Sequence, residues 1–397
     1  MPTTMDARPA LDDVLDDLRG LLPDIAARAR QTEADGHVPR VTFDELTDIG
    51  VFRLMQPARF GGYEYGPTAL ARVGFELGTA CGSTGWCGAL AVCFGWMTSF
   101  FSLEAQQEVW DDPTNLLAVS YVPSPHVTVV AGGYRMTGQW PWASGVDNAT
   151  WMILAALIPG DDKPTPAWCL VPVSEVTIDH GSWNSAGLEG TGSKSVYTDE
   201  PIFVPAHRVL PLPLVMSGNV PGREVPDNPQ AAYGYPTFGP TALVAPIVGM
   251  AQGAIDAFTA TATDSTRQTR PGVVVKVAET ESIQRLIGSV SAQVDAARTL
   301  MLTSLQEGEA LVAAGETLSI EQRTRIRRNQ GYAARMCAEA ATALFAKSGA
   351  RGADQSGAVQ RFWRDASTAA LHATIDWDMV AEMYGTQALG LTPVGIF

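Results

Sequence analysis

At 397 residues the chain exceeds what one hydrophobic core usually supports, and its 46% hydrophobic and 17% charged composition fits a globular protein of two or three structural units. The 42 acidic against 27 basic side chains leave a net charge of −15, which repels phosphate backbones and anionic lipid heads, so neither nucleic acid nor a membrane surface is expected as a partner. Five cysteines (Cys81, Cys87, Cys93, Cys169 and Cys337) form no C-x-x-C pair and lie near no histidine at metal spacing; reduced, buried thiols are expected.

The first ~115 residues read as helical, with amphipathic stretches near 8 to 32 and 43 to 50 and a Gly-rich loop at "ARFGGYEYGPT". Acids and arginines are mixed at the N-terminus without the apolar run of a signal peptide, so a cytoplasmic location is expected. Between Glu76 and Glu104 there is no charged residue, a span long enough to cross a bilayer. Its density of Gly, Ser, Thr and Cys and its lack of basic flanks indicate instead a helix buried on all sides.

From Leu116 the texture changes to short β-rich runs such as "LLAVSYV", "TWMILAALI" and "SVYTDEPIFVP", with Gly132–Gly133 and residues 160 to 162 as turns, predicting a middle domain of antiparallel sheet. Residues 201 to 246 hold ten of the 26 prolines, so no helix or central strand is expected through them. Beyond Ala242, helices are predicted over 242 to 266, 275 to 313, 318 to 348 and 357 to 388, joined by short loops as in an antiparallel bundle. The domains are thus 1–115, 116–235 and 236–397.

Several chemistries have no motif here. There is no G-x-G-x-x-G after a strand, no G-x-S-x-G elbow and no H-E-x-x-H. "GLEGTGSKS" at 187 to 195 looks superficially like a P-loop, but a serine separates Gly192 from Lys194 and a β-like run follows, so no helix N-terminus would face a phosphate. His372, in "STAALHATIDW", falls on a helical stripe with Arg361, Asp365, Thr368 and Asp376; the pattern suits either a solvated face or a catalytic group.

The stretch "TGQWPWASGVDNATWMILAA" resembles the flavin-facing strands of the acyl-CoA dehydrogenase superfamily. In that register Gly138 takes the family glycine, Trp142 the tryptophan lying against the isoalloxazine, and Ser144 the hydroxyl residue that hydrogen-bonds near N5. "RFGGYEYG", "SWNSAGLEGTGSKSVYTDEPIFVPAHRVL", "RQTRPG" and "RFWRDA" resemble further family motifs in the same order along the chain. The resemblance implies an N-terminal helical domain, a central β-barrel domain and a C-terminal four-helix bundle. It departs from the dehydrogenases where they keep a catalytic glutamate, nine residues after the arginine of "RDA": Ala373 stands there, beside His372. A histidine in this helix is a feature of the two-component flavin-dependent (group D) monooxygenases of the same fold.

That branch implies an oxygenase component that takes FMNH2 or FADH2 from a separate NAD(P)H:flavin reductase, adds O2 at C4a to give a hydroperoxyflavin, and hydroxylates a phenolic or polycyclic aromatic substrate. It also implies a homotetramer. On this reading His372 is the base that accepts a phenolic proton and Ser144 donates toward flavin N5, although a Ser-Gly pair is also ordinary turn chemistry. Trp142 and Ser120 would contact the flavin. Arg267 would reach its phosphates or, alternatively, cap a helix. Trp96, Phe100 and Tyr121 would line the substrate pocket or simply pack. N- or S-oxygenation, a divergent dehydrogenase and a non-catalytic scaffold remain the alternatives.

Overall fold

The computed structural model describes residues 8–124, 126–160 and 163–397. The N-terminal part is helical: α1 (Leu11–Asp35), α2 (Arg40–Asp48), α3 (Pro67–Ala80), α4 (Gly82–Thr98) and α5 (Leu103–Val109). The chargeless segment is α4, buried along all but one of its residues, as an evenly apolar helix inside a protein core must be. Another helical stretch, Tyr235–Asp264, is long and apolar enough to cross a membrane, but 83% of its most apolar window is buried against the rest of the chain.

The middle part carries β1 (Leu117–Ser124), β2 (His126–Val130), β3 (Gly133–Thr137), β4 (Gln139–Ala143), β5 (Trp151–Ile158), β6 (Thr165–Pro172), β7 (Thr177–Asp179), β8 (Lys194–Tyr197), β9 (Ile202–Pro205) and β10 (Val209–Pro211). They form sheets ordered β1-β5-β6-β10, β2-β3-β9 and β4-β8-β7. The expectation of a wholly antiparallel sheet is corrected here, because β1 runs parallel to β5 with Leu117 opposite Trp151. The chain passes through β2, β3 and β4 between the two, and such a crossover returns a strand in the same direction. Of the turn expected at 160 to 162, Asp161 and Asp162 lie outside the described residues.

The Pro-rich stretch also holds more regular structure than expected. Pro205 and Pro211 end β9 and β10, where no ladder amide is required, and two short helices follow, α6 (Leu212–Ser217) and α7 (Tyr235–Phe238). The long helix α8 (Thr241–Asp264) runs through Pro246, which sits near its N-terminal end. The segment expected to break at "RPG" is instead a hairpin, β11 (Thr266–Arg270) with β12 (Val273–Lys276), turning on Gly272 at φ +78°. Consecutive β-branched valines favour the strand, so α9 (Glu281–Ala313) starts later than residue 275.

The last two long helices differ most in outcome. α10 (Ile320–Lys347) matches its prediction and opens on a capping box, with Ser319 and Gln322 each bonding the other's backbone. The single helix expected over 357 to 388 is two, α11 (Ala358–Ala369) and α12 (Trp377–Ala388). Asp376 breaks the run by capping α12: its Oδ1 accepts from the Met379 amide at 2.9 Å. His372 is therefore in a turn, and the helical stripe stops at Thr368.

Helices α3, α4 and α8 cross at glycines, which brings the helix carrying much of the site against the bundle. A Cβ on Gly249 would stand 2.2 Å from the Phe75 carbonyl oxygen, and one on Gly78 would stand 2.5 Å from that of Pro246. Backbone cannot move aside as a side chain does. Gly249→Ala is accordingly expected to cost about 3 kcal/mol of stability, read by chemical denaturation; a change within about 0.5 kcal/mol would show that the crossing is not tight.

Candidate active site

Trp142 and Ser144 sit where β4 meets β8, and the pairing slips between Trp140 and Ala143. At this bulge Trp142 adopts a left-handed backbone, φ +64°, with its ring 65% exposed. A bulky residue there is strained and persists only where its surroundings fix it. Three bonds do so. Ser120, buried on β1, donates its hydroxyl to the Pro141 carbonyl at 2.6 Å, the Ser144 amide reaches Trp142 O at 3.0 Å, and the Gly145 amide reaches Thr191 O at 2.9 Å.

Ser144 begins a chain of hydroxyls. The Trp86 indole N–H points at Ser144 Oγ from 3.4 Å, Ser144 and Ser193 hydroxyls are 2.7 Å apart, and Ser193 and Thr191 hydroxyls are also 2.7 Å apart. Thr191 then donates to the Leu188 carbonyl at 2.8 Å. A ring neighbour of Trp86 is His372, with centroids 6.2 Å apart. Trp86, on the first turns of α4, thus joins the two residues singled out from sequence.

The loop that carries Thr191 and Ser193 is the "GLEGTGSKS" stretch, and its glycines have a packing reason. A Cβ on Gly187 would lie 2.2 Å from Arg364 O, and one on Gly190 would lie 2.7 Å from Thr32 O, so α11 and α1 press directly on the loop backbone. Leu188 is held left-handed, φ +56°, by its amide donating to Asp365 Oδ1 at 2.6 Å. Arg364 adds bonds to Ala186 O and Glu189, both at 3.0 Å, and pairs with Glu33. The arginine and aspartate of "RFWRDA" therefore clamp this loop. Burial raises the Asp365 carboxyl to about 6, against the Leu188 bond that favours ionisation.

His372 is half-buried and caps a short 3-10 turn, its Nδ1 accepting from the Thr374 amide at 3.2 Å. Burial, and then the charge of Arg327, hold its pKa below the usual histidine range. The imidazole is neutral near pH 7, and the cap assigns its hydrogen to Nε2. Arg327 is completely buried and bonds Thr374 O at 2.5 Å, Ile396 O at 3.1 Å and Gln330 at 3.3 Å. None of these partners is a carboxylate.

The other residues named from sequence are placed apart. Tyr121 is 40% exposed, and its hydroxyl meets that of Tyr235 at 2.6 Å. Trp96 and Phe100 are buried behind Tyr235, with the Trp96 indole donating to Gln230 O at 2.9 Å. They back the tyrosine pair rather than face open space. Arg267 is exposed on the β11–β12 hairpin, not at a helix end, and makes no salt bridge with the described residues. Trp86, Thr191, Ser193 and Tyr235 were not singled out from sequence; the glycine density around Thr191 and Ser193 was the available signal. A polar cleft of about 730 Å³ is lined by Glu33, Arg40, Asp147, His180 and Lys194 among others. None of Trp86, Trp142, Ser144 or His372 lines it.

The arrangement is thus an exposed indole held in a strained turn beside a chain of hydroxyls, with a neutral imidazole against Trp86. The family model "Acyl-CoA dehydrogenase, N-terminal domain" matches residues 16–113, and "Acyl-CoA dehydrogenase, C-terminal domain" matches residues 241–377. The chain belongs to the acyl-CoA dehydrogenase superfamily and, within it, to the flavin-dependent monooxygenases. It is 35% identical to the flavin-dependent monooxygenase oxygenase subunit HsaA of Rhodococcus jostii RHA1 over 94% of this chain and 97% of that one. It is 37% identical to the FADH(2)-dependent resorcinol hydroxylase oxygenase component of Rhizobium sp. MTP-10005, over 92% and 91%. The crystal structure of HsaA from M. tuberculosis superposes with a TM-score of 0.91 at 32% identity, covering 98% of this chain and all of that one.

The clamp predicts a pH signature. Asp365 binds its proton more tightly folded than unfolded, about 6 against an ordinary 3.8, so its contribution is fully present below about pH 4 and is lost as pH rises through 6. Asp365→Asn keeps the oxygen that accepts from Leu188. The stability of the native chain relative to this variant is expected to fall by about 2.5 kcal/mol between pH 4 and pH 7, measured by urea denaturation. A difference that stays flat with pH would mean that Asp365 is not buried as a proton-binding group.

Proposed function

We propose that this enzyme is the oxygenase component of a two-component system. It receives FMNH2 or FADH2 from a separate NAD(P)H:flavin reductase and uses O2 to hydroxylate a phenolic or polycyclic aromatic substrate. The observation that carries this reading is that Ser144 and His372 both lie against Trp86, with the exposed Trp142 two residues before Ser144. A relative that hydroxylates resorcinol, itself a phenol, supports the substrate class. The residues fit a flavin: the exposed face of Trp142 offers a stacking surface, and Ser144 Oγ stands two residues away as a hydrogen-bonding partner for N5. Reduced flavin, when bound, supplies the electrons that activate oxygen.

The remaining steps fall to side chains. Ser120 holds the bulge that aims Trp142. Arg267, exposed on its hairpin, reaches flavin phosphates, and such a site completed across subunits suits a homotetramer. Exposed apolar side chains at Val274, Leu389 and Leu391 support assembly. Tyr121 forms the substrate-side wall, with Trp96 and Phe100 supporting it through Tyr235. His372 meets the substrate oxygen as a neutral ring. Because Nδ1 is engaged by Thr374, Nε2–H donates to the oxygen of a substrate bound as its phenolate, whose proton has passed to solvent, so the ring acts as a donor where the sequence suggested a base. Water must be kept out while oxygen is transferred, since exposure releases hydrogen peroxide instead of product. A cytoplasmic location, where reductase and NAD(P)H are available, completes the proposal.

Two substitutions test these roles. His372→Ala is expected to bind reduced flavin with unchanged affinity while hydroxylation falls about 100-fold or more, peroxide replacing product; retained hydroxylation removes His372 from the reaction. In Ser144→Ala, peroxide released per flavin oxidised is expected to rise several-fold with a matching loss of product, and unaltered coupling would exclude Ser144. Purification with tightly bound oxidised FAD and activity on an acyl-CoA thioester would overturn the oxygenase reading as a whole.

A further inference from the structure

The hydroxyl chain has a direction that can be deduced by counting hydrogens. It contains four donors, the Trp86 indole and the hydroxyls of Ser144, Ser193 and Thr191, and four bonds join them to one terminal acceptor, Leu188 O. A carbonyl only accepts, so Thr191 spends its single hydrogen on Leu188. Ser193 must then donate to Thr191, and Ser144 to Ser193. The indole N–H only donates, so it too points into Ser144. Every hydrogen runs from Trp86 toward Leu188, and Ser144 keeps a lone pair, with no hydrogen, for anything placed before it.

We propose that this polarity makes the site discriminate the redox state of its flavin, with Ser193 and Thr191 as positioning residues that fix Ser144 as a hydrogen-bond acceptor. The proposal rests on the reading that Ser144 faces N5. Two-electron reduction places a hydrogen on N5, whereas oxidised N5 carries only a lone pair. Ser144 Oγ therefore accepts from the reduced cofactor and opposes the oxidised one lone pair to lone pair. For Ser144 to donate to oxidised N5, either it gives up its bond to Ser193 and leaves two oxygens facing lone pair to lone pair at 2.7 Å, or all three hydroxyls reverse and Leu188 O keeps only its bond from the Thr191 amide at 3.0 Å. The far end of the chain is not free to turn easily. Thr191 and Ser193 are buried, Thr191 O is occupied by Gly145, and Leu188 is pinned by Asp365. An acceptor at this position also retains the N5 hydrogen, whose loss accompanies escape of peroxide. Selectivity for reduced flavin and protection of the oxygenated site thus follow from one arrangement. The direction is opposite to the donor role that the sequence suggested for Ser144.

The test is the ratio of dissociation constants for oxidised and reduced flavin, measured with FMN and with FAD by quenching of protein fluorescence, the reduced forms under anaerobic conditions. No turnover is involved. Wild type is expected to favour the reduced form. Thr191→Val removes the hydroxyl that orients the chain, freeing Ser144 to donate, and should lower the preference about 5- to 10-fold, mainly by tighter binding of oxidised flavin. Ser193→Ala should do the same, and Thr191→Ser, which keeps the oxygen, should retain the wild-type ratio. Thermal melting checks that each variant is folded, and the Val and Ala variants provide two independent routes. A ratio that changes in Ser144→Ala but stays within twofold of wild type in both Thr191→Val and Ser193→Ala would overturn the proposal while leaving Ser144 in place. A ratio unchanged in Ser144→Ala as well would overturn the placement of Ser144 at N5, and this proposal with it.

Discussion

The site depends on the clamp between α11 and the loop 186–193. Asp365 holds the Leu188 amide, Arg364 holds Ala186 and Glu189 and ties both to Glu33 on α1, and the glycines let three backbones meet without side chains between them. The loop so fixed presents Thr191 and Ser193, which set Ser144, and Thr191 O also holds Gly145 behind the strained Trp142. A left-handed tryptophan costs about 1–3 kcal/mol. It is held by the bonds of Ser120, Ser144 and Thr191, and the last of these comes from the loop that α11 and α1 press into place, so the bundle and the N-terminal helices bear on the indole through that loop.

The second half of the site is organised around a buried cation. Arg327 is fully enclosed, yet its partners are two carbonyls and an amide, and desolvation lowers its pKa to about 10. It remains charged near neutrality, and a charge so placed favours neutral or anionic groups nearby. His372 is one such group. Its backbone turn is anchored by Arg327 through Thr374 O, so the guanidinium that positions the imidazole also adds to burial in keeping it unprotonated. An ionised phenolic oxygen next to Nε2–H would lie in a favourable field for the same reason.

Much of this architecture was legible in the sequence, and the parts that were not share a cause. Helical periodicity located α1 and α10 to within a few residues and the end of α9, though not its start, and the buried helix α4 announced itself by lacking charge. Trp142 and Ser144 were found from register with a family pattern, not from their own chemistry. The break between α11 and α12 was hidden because "ASTAALHATIDW" has good helix formers up to a cap, Asp376, whose effect depends on which side of it the chain is read. The parallel pairing of β1 with β5 and the company of Trp86, Ser193 and His372 are long-range facts, and no local propensity encodes them. Even so, the glycines of "GLEGTGSKS" carried the information that something presses on this loop. It was backbone and not phosphate.

The same geometry explains why the chemistry departs from proton abstraction at carbon. A dehydrogenase needs a carboxylate that is both ionised and unengaged beside the flavin. In the segment from Asp365 to Asp376 the two carboxylates are committed elsewhere: Asp365 is buried in the clamp with its pKa raised, and Asp376 caps α12. The position nine residues past Arg364 is Ala373, in the short turn that His372 caps. What stands beside Trp86 is instead an uncharged ring whose remaining nitrogen donates. A group of that kind has no capacity to pull a proton from an acyl carbon. A donor of that kind suits the steadying of an oxyanion proposed above, and it is placed there by the folded turn as much as by the loss of a single glutamate.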